Sequence, residues 1–395
     1  MRNIGFVYLV LVSMVLGACN PQKKSDKAKQ HYDVAAYIWP AYFNEPRFGD
    51  MGVFHDGKGE WEAIYNAKPK FEGHRQPREP LWGYFDESAP EMQEKIIATA
   101  LDYGVNTFIF DWYWYDDRPF LEDVLNKGFL KAKNNEEMNF YLMWANHTHN
   151  SYLDYTNPDK NKIYWEGGVS REIFDRLTDH VIKDYFSRPN YYRIDGKPVF
   201  AIYEVSTFIN GIGGEQAARE ALDAFRKKCV AAGLPGVHIQ AILWTILPES
   251  LAATPGDKHQ TENTLMQKLG FESLTHYQWC HYVPTGQPYL AWGEKAQAQY
   301  PDFDKAFTLP YYPHVSISWD PNPRFPEGTY PCVQDATPDQ FKQFLLKAKE
   351  YVDAHPQQTP LITVNAWNEW AEGSYLEPDT EYQYGFLEAV KEVFK

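Results

Sequence analysis

Cysteine is scarce. Four cysteines occur in 395 residues, at positions 19, 229, 280 and 332, too few for a disulfide scaffold and spaced like no zinc site. Long basic clusters are missing as well: no Lys/Arg run exceeds three residues, and the formal net charge is −15. A nucleic-acid backbone calls for a basic patch, so the charge argues against nucleic acid as a partner. No long hydrophobic run exists; residues 4–16 are apolar but too few to span a bilayer comfortably. No candidate strand is followed by a glycine-rich phosphate fingerprint, and Gly211 to Gly214 lack the pattern, which disfavours a nucleotide-cradling fold. Aromatic residues, by contrast, are abundant: 13 Trp, 28 Tyr and 24 Phe make up 16% of the chain. That composition suits an aromatic core, or a surface that grips carbohydrate.

The N-terminus carries a charged start at Arg2, the apolar stretch, and then Leu16-Gly17-Ala18-Cys19. This resembles a bacterial lipoprotein signal, in which the cysteine is lipidated and becomes the mature N-terminus. The expectation is a signal segment over residues 1–18, lipidation at Cys19 and a polar, Lys-rich tether over 19–31. The protein is then held by lipid to the outer membrane of a bacterial cell envelope. The rival reading is an ordinary cleaved signal with an incidental cysteine.

From residue 32 onward, short β-rich runs alternate with helical patterns. Strands are predicted at 34–39, 105–112, 140–145, 199–203, 238–243, 274–279, 315–319 and 361–366. Helices are predicted at 90–103, 120–133, 170–186, 214–232, 261–269, 293–300, 338–355 and 384–395. Alternation of this kind argues a parallel sheet covered by helices. Eight repeats argue a single α/β domain over 32–395, closed into a (β/α)8 TIM barrel. The connection over 41–89 is long and aromatic and has no clear period. In a barrel it sits on the catalytic face and walls a cleft.

A barrel demands polar and aromatic side chains just after its strands, and they are there. The expected substrate contacts are Tyr37 and Trp39, Asp111 and Trp112, Trp144, Asn146 and His147, Tyr203 and Glu204, Trp244, and Trp319 and Asp320. The last strand delivers Trp367, Asn368, Glu369, Trp370 and Glu372. Cleaving a glycosidic bond usually needs a carboxylic acid to protonate the leaving oxygen and a second group to support the transition state. Glu369 and Glu372, three residues apart, lie on one face if the backbone turns helically there. Trp367 and Trp370 would raise the pKa of at least one of them, as a general acid requires. Glu204, across the barrel, is the competing partner for Glu369, whereas Glu377 reads as structural. His147, His149, His276 and His281 are read as hydrogen-bonding residues rather than metal ligands.

The run Trp367-Asn368-Glu369-Trp370-Ala371-Glu372-Gly373, followed by Leu376-Glu377-Pro378, resembles the signature of the WbsX-like proteins. These are related to glycoside hydrolase family 99, the endo-α-mannosidases and endo-α-mannanases. Gly83-Tyr84-Phe85-Asp86, Trp144-Ala145-Asn146, the run Arg193 to Phe200, and Trp319-Asp320 before Pro323-Arg324 fit in order. The resemblance implies a barrel with no required metal or cofactor, acting on α-linked glycans with retention. It also implies that Glu369 deprotonates the substrate's own 2-hydroxyl to form a 1,2-anhydro sugar, with Glu372 as general acid/base. That removes the need for Glu204 as nucleophile. Two departures bear on sugar identity: Ala371 stands where family 99 has His, and His147-Thr148-His149 stand where relatives often have an acid and a Trp.

The resulting expectation is a monomeric, lipid-anchored glycoside hydrolase that cleaves an α-linked polysaccharide or glycan. A glycosyltransferase of polysaccharide synthesis, or a glycan-binding lipoprotein without catalysis, are the alternatives. A transferase needs a donor site, and export argues against a cytoplasmic nucleotide sugar. A pure binder would keep the tryptophans without needing both glutamates.

Overall fold

A computed structural model describes residue 1 and residues 31–395, apart from 158, 253–256 and 326. Residues 2–18 of the expected signal, Cys19 and the tether up to residue 30 lie outside the described residues.

Eight parallel strands carry the domain: β1 (Asp33–Ile38), β2 (Thr107–Tyr115), β3 (Asn139–Trp144), β4 (Lys197–Ile202), β5 (His238–Ile242), β6 (Ser273–Thr275), β7 (His314–Ser316) and β8 (Leu361–Asn365). Their order around the sheet is β6-β5-β4-β3-β2-β1-β8-β7. Leu274 of β6 pairs in parallel with Tyr311, just before β7, and completes the circuit. Helices, among them Pro90–Tyr103, Arg171–Val181, Glu215–Ala231 and Pro338–Ala354, connect successive strands. The architecture is a (β/α)8 barrel, as expected.

The strand residues are mostly β-branched or aromatic, and they are almost wholly buried on both faces, as a helix-covered parallel sheet requires. Hydrogen bonds between strands that are not neighbours show which side chains fill the interior. Tyr141 of β3 donates to Gln240 of β5 at 3.2 Å, and the hydroxyls of Thr275 and Thr363 meet at 2.9 Å across β6 and β8. Such bonds can only cross the middle of the barrel.

The helix expected at 120–133 is the clearest correction. Strand β2 runs on to Tyr115 through buried aromatics and folds back as the antiparallel strand Arg118–Phe120. Asp116 and Asp117 between them have φ +52° and +65°, the left-handed pair that a tight hairpin of this type uses. Beyond the hairpin, only a single π turn, Val124–Gly128, and a 3₁₀ turn, Phe129–Lys131, are helical. A Cβ on Gly128 would meet the carbonyl oxygen of Glu87 at 2.6 Å, so the chain approaches the 41–89 segment more closely than another residue permits. Strand β6 also stops early, because Trp279 belongs to the turn Trp279–His281.

The 41–89 segment is packed onto the barrel rather than looped away from it. It contains the short helices Arg47–Met51 and Trp61–Asn66. Trp61 is fully buried against Tyr42, with ring centroids 4.2 Å apart, and donates to Phe85 O at 2.7 Å. This burial plants Glu60, itself inaccessible to solvent, at the barrel mouth.

Candidate active site

Beyond β8 the chain makes a two-residue antiparallel pairing, Asn368–Glu369 with Ser374–Tyr375, joined by the 3₁₀ turn Trp370–Glu372. Residues three apart eclipse on such a turn, so Glu369 and Glu372 share a face. Gly373 leaves it at φ +62°, and a Cβ there would lie 3.0 Å from both Arg78 Cζ and Asp320 Cβ. The rest of the motif is scaffolding. Glu377 accepts the indole N–H of Trp367 at 2.9 Å and of Trp370 at 2.7 Å. Asn368 accepts from Trp39 N at 2.7 Å and donates to Trp39 O at 2.8 Å and Glu87 Oε1 at 2.7 Å. Burial pushes the Glu377 carboxyl up to about 8 despite its two indole bonds.

Both motif glutamates converge on Arg324. Its Nη1 donates to Glu372 at 2.6 Å, its Nη2 to Glu369 at 3.3 Å, and its Nε to Glu60 at 2.7 Å. The guanidinium also sits over the rings of Tyr152 and Trp39, 5.1 and 5.5 Å from their centroids. Burial works against the Arg324 charge, but Glu60, Glu369 and Glu372 more than offset it and hold it charged. Burial, with Glu372 beside it, pushes Glu369 well above the usual carboxylate range. Glu372 is raised by burial too, but the charge and hydrogen bond of Arg324 pull against it. Glu372 Oε2 is buried with no hydrogen-bond partner among the described residues.

A cavity of about 490 Å³ opens at this point, within the size range of small-ligand sites. Of the contacts expected from sequence, Trp39, Asp111, His147, Tyr203, Glu204, Trp244 and Trp319 line it together with Glu369 and Glu372. Trp244 stacks on His281 with centroids 4.1 Å apart. Burial lowers His147, and His281 to about 3, so both rings are neutral near pH 7. His147 Nδ1 lies 3.1 Å from Thr148 O, a carbonyl, so Nδ1 carries the hydrogen and Nε2 is left as an acceptor.

The other expected contacts point elsewhere, chiefly because side chains alternate along a strand. Asp111 and Tyr113 reach the cavity, so Trp112 between them faces out and donates to Glu122 at 2.9 Å. Met143 and Ala145 likewise reach it, and Trp144 packs against Phe174 and Phe208 instead. Tyr37 donates to His276 O at 3.0 Å inside the barrel. Asn146 bonds the backbone N–H and carbonyl of Glu204, both at 2.8 Å, and so positions that residue without lining the cavity. Trp367 and Asn368 hold the motif as described. Asp320 is a buried hub: His74, Gln76 and Asn322 bond its carboxylate at 2.8–2.9 Å, and His74, Arg78 and Asn322 hold it well below its ordinary range against burial.

The sequence does not mark Glu60, Tyr113 or Tyr152 as site residues, it carries Arg324 only within the Pro323-Arg324 motif, and it does not separate Tyr277 from its neighbours at the end of β6. Alternation from Asp111 points to Tyr113. Glu60 sits in a segment without period and carries no local signal. Among the described residues, the group whose ligand atoms approach within 4.8 Å of one another is His74, Asp320 and Cys332. The Asp320 carboxylate there is already filled by protein donors, so a cation would have to displace them. Cys229, Cys280 and Cys332 are free thiols.

A family model described as "Glycosyltransferase WbsX" matches residues 34–390. Two curated relatives, each named "Uncharacterized protein WxcX" and from two strains of Xanthomonas campestris pv. campestris, are 26% identical over 357 and 362 residues. They cover 85% of this chain, which spans only 46% of their length. A solved "Glycoside hydrolase-like protein" superposes with TM-score 0.60 at 15% identity, covering 96% of this chain and 98% of its own. The glycoside hydrolase family 99 endo-α-mannosidase of Bacteroides thetaiotaomicron superposes with TM-score 0.56 at 14% identity, covering 92% of this chain and 96% of its own. At such identities these structures speak to the fold alone.

Proposed function

This chain belongs to the family described as Glycosyltransferase WbsX, and from that premise we propose that it is an enzyme acting at α-glycosidic bonds, with Glu369 and Glu372 as its reacting acids. One observation carries the reading: two buried glutamates on a single 3₁₀ turn, drawn to one arginine at an aromatic cavity.

Glu372 gives its proton to the leaving oxygen as the bond to the anomeric carbon breaks. Glu369 takes the proton of the substrate's 2-hydroxyl, whose oxygen closes on the anomeric carbon to give a 1,2-anhydro sugar. An incoming acceptor then loses its proton to Glu372 and opens that ring while Glu369 returns its proton to the 2-oxygen, restoring the original anomeric configuration. The tryptophan and tyrosine walls offer faces for sugar rings, and His147 Nε2 and Glu204 offer acceptors for hydroxyls.

Water as the acceptor makes the enzyme a hydrolase, and a sugar hydroxyl makes it a glycosyltransferase. The family's description favours transfer, and the acid pair serves either. Incubating the protein with α-mannans and other α-glycans, with and without an oligosaccharide acceptor, separates them: hydrolysis yields free reducing ends, and transfer yields elongated acceptor. If neither product forms while the glycans bind, the non-catalytic alternative holds. We also propose lipidation at Cys19 from the Leu16-Gly17-Ala18-Cys19 pattern. Mass spectrometry of the cell-derived protein would show acyl chains on a terminal Cys19; another terminus without acyl chains would exclude the anchor.

A further inference from the structure

Tyr277 offers one hydroxyl to two carboxylates. Its oxygen lies 2.8 Å from Asp111 Oδ2 and 2.8 Å from Glu369 Oε1. A phenol carries a single proton and can donate to only one of them. The second contact, equally short, needs a hydrogen that only a protonated carboxyl can bring. Were both acids ionised, one carboxylate oxygen would face a phenol lone pair at a largely buried contact, since Asp111 and Glu369 are each only 2% exposed.

We propose that Asp111, Tyr277 and Glu369 form one acid–base unit holding a single carboxyl proton, with Asp111 carrying that proton so that Glu369 is left as the base. The assignment of Glu369 as base rests on the function proposed above; the sharing of the proton does not.

Charge balance around the unit points the same way. Glu369 faces Glu372, Glu60 and the Arg324 cation, and Asp111 faces Glu372. Tyr37, Tyr113 and Tyr203 surround Asp111 as neutral phenols. His281, with its ring 6.0 Å from that of Tyr277, is neutral as well. Among the described residues, four carboxyl groups therefore face one cation, and a retained proton relieves the excess. Burial pushes both Asp111 and Glu369 well above the carboxylate range. Burial favours a proton on either acid, and a proton held on Glu369 would make it a poor base. Moving it to Asp111 through Tyr277 removes that conflict. When the phenol proton passes to Glu369 and the Asp111 proton passes to the phenol, the negative charge moves to Asp111 and no proton enters or leaves. Asp111 Oδ1 has no hydrogen-bond partner among the described residues, and Asp111 lines the cavity, so either end of the unit can receive a substrate hydroxyl.

Infrared difference spectroscopy of the full chain at neutral pH tests this without a substrate, so its outcome is independent of the catalytic reading. The native spectrum should contain a carboxylic-acid carbonyl band that disappears in Asp111→Asn and equally in Glu369→Gln. In each variant the surviving carboxylate accepts the phenol proton and needs none of its own. In Tyr277→Phe the band should shift in frequency, because the acid has lost its acceptor. Contributions from the buried Glu87 and Glu377 carboxyls cancel in the differences. A band lost in only one of the two acid variants, or in neither, overturns the proposal, as does a band unmoved by Tyr277→Phe. Should Asp111→Asn or Glu369→Gln fail to fold, Asp111→Ser or Glu369→Ser takes its place, so that both acids are tested.

Discussion

Replacing Arg324 with methionine keeps the length of the side chain and removes the cation that Glu60, Glu369 and Glu372 share. Taking one partner from a buried ion pair typically costs about 3–5 kcal/mol, because a charge is left uncompensated. The protein can escape part of that cost by protonating the glutamates. The penalty must therefore depend on pH, and its sign follows from the shifts. Glu369 and Glu372 have folded pKa values raised by burial, while Arg324 pulls both down. Removing Arg324 raises them further. A group with a raised folded pKa contributes stability that is present below its unfolded value, about 4.3 for Glu, and is lost as pH rises through the folded value. Toward low pH both acids take up a proton with or without Arg324, so the deficit narrows there. From there the deficit should widen with rising pH toward about 3–5 kcal/mol at pH 8. Urea denaturation of native and variant protein from pH 4 to 8, read as the difference in midpoint, measures this. A deficit that stays constant with pH would refute the reasoning, as would one that shrinks as pH rises.

Three further outcomes rest on the same geometry. Glu377→Leu leaves the indole N–H groups of Trp367 and Trp370 without their acceptor, at a cost of about 1–3 kcal/mol for each buried donor, measurable by denaturation; an unchanged midpoint would show that the indoles do not depend on it. Gly373→Ala forces a side chain into the left-handed region and against Arg78 and Asp320, so about 1–2 kcal/mol of backbone strain adds to the clash; reduced turnover and a lowered midpoint are expected together. Trp319→Ala, at the cavity wall, should weaken glycan binding roughly 10-fold with turnover at saturation little changed, as expected for a contact equally good in ground and transition states. A fall in turnover with unaltered binding would place Trp319 in the chemistry instead.

The barrel is legible in the sequence because its signal is repeated. Eight β-rich runs alternating with amphipathic stretches leave few other folds, and each strand needs only approximate bounds. The segment 120–133 reads as a helix because its apolar spacing fits one, while the Asp116–Asp117 turn and the close approach at Gly128 act through tertiary contact. At the site, the glutamates announce themselves by position on the last strand. Treating every strand-end aromatic as a cleft wall ignores the alternation that sends Trp112 and Trp144 outward. Arg324 and Glu60 meet from 264 positions apart, and no local pattern reports such a pair. Glu377, which reads as structural, is found on two indoles at once.

The central claim concerns Glu369 and Glu372, and the most direct measurement is the rate at which Glu372→Gln cleaves or transfers an α-glycan that the native protein processes. Losing a general acid should lower turnover by about 10²–10⁴-fold while the glycan still binds. Native-like turnover in Glu372→Gln would contradict the account.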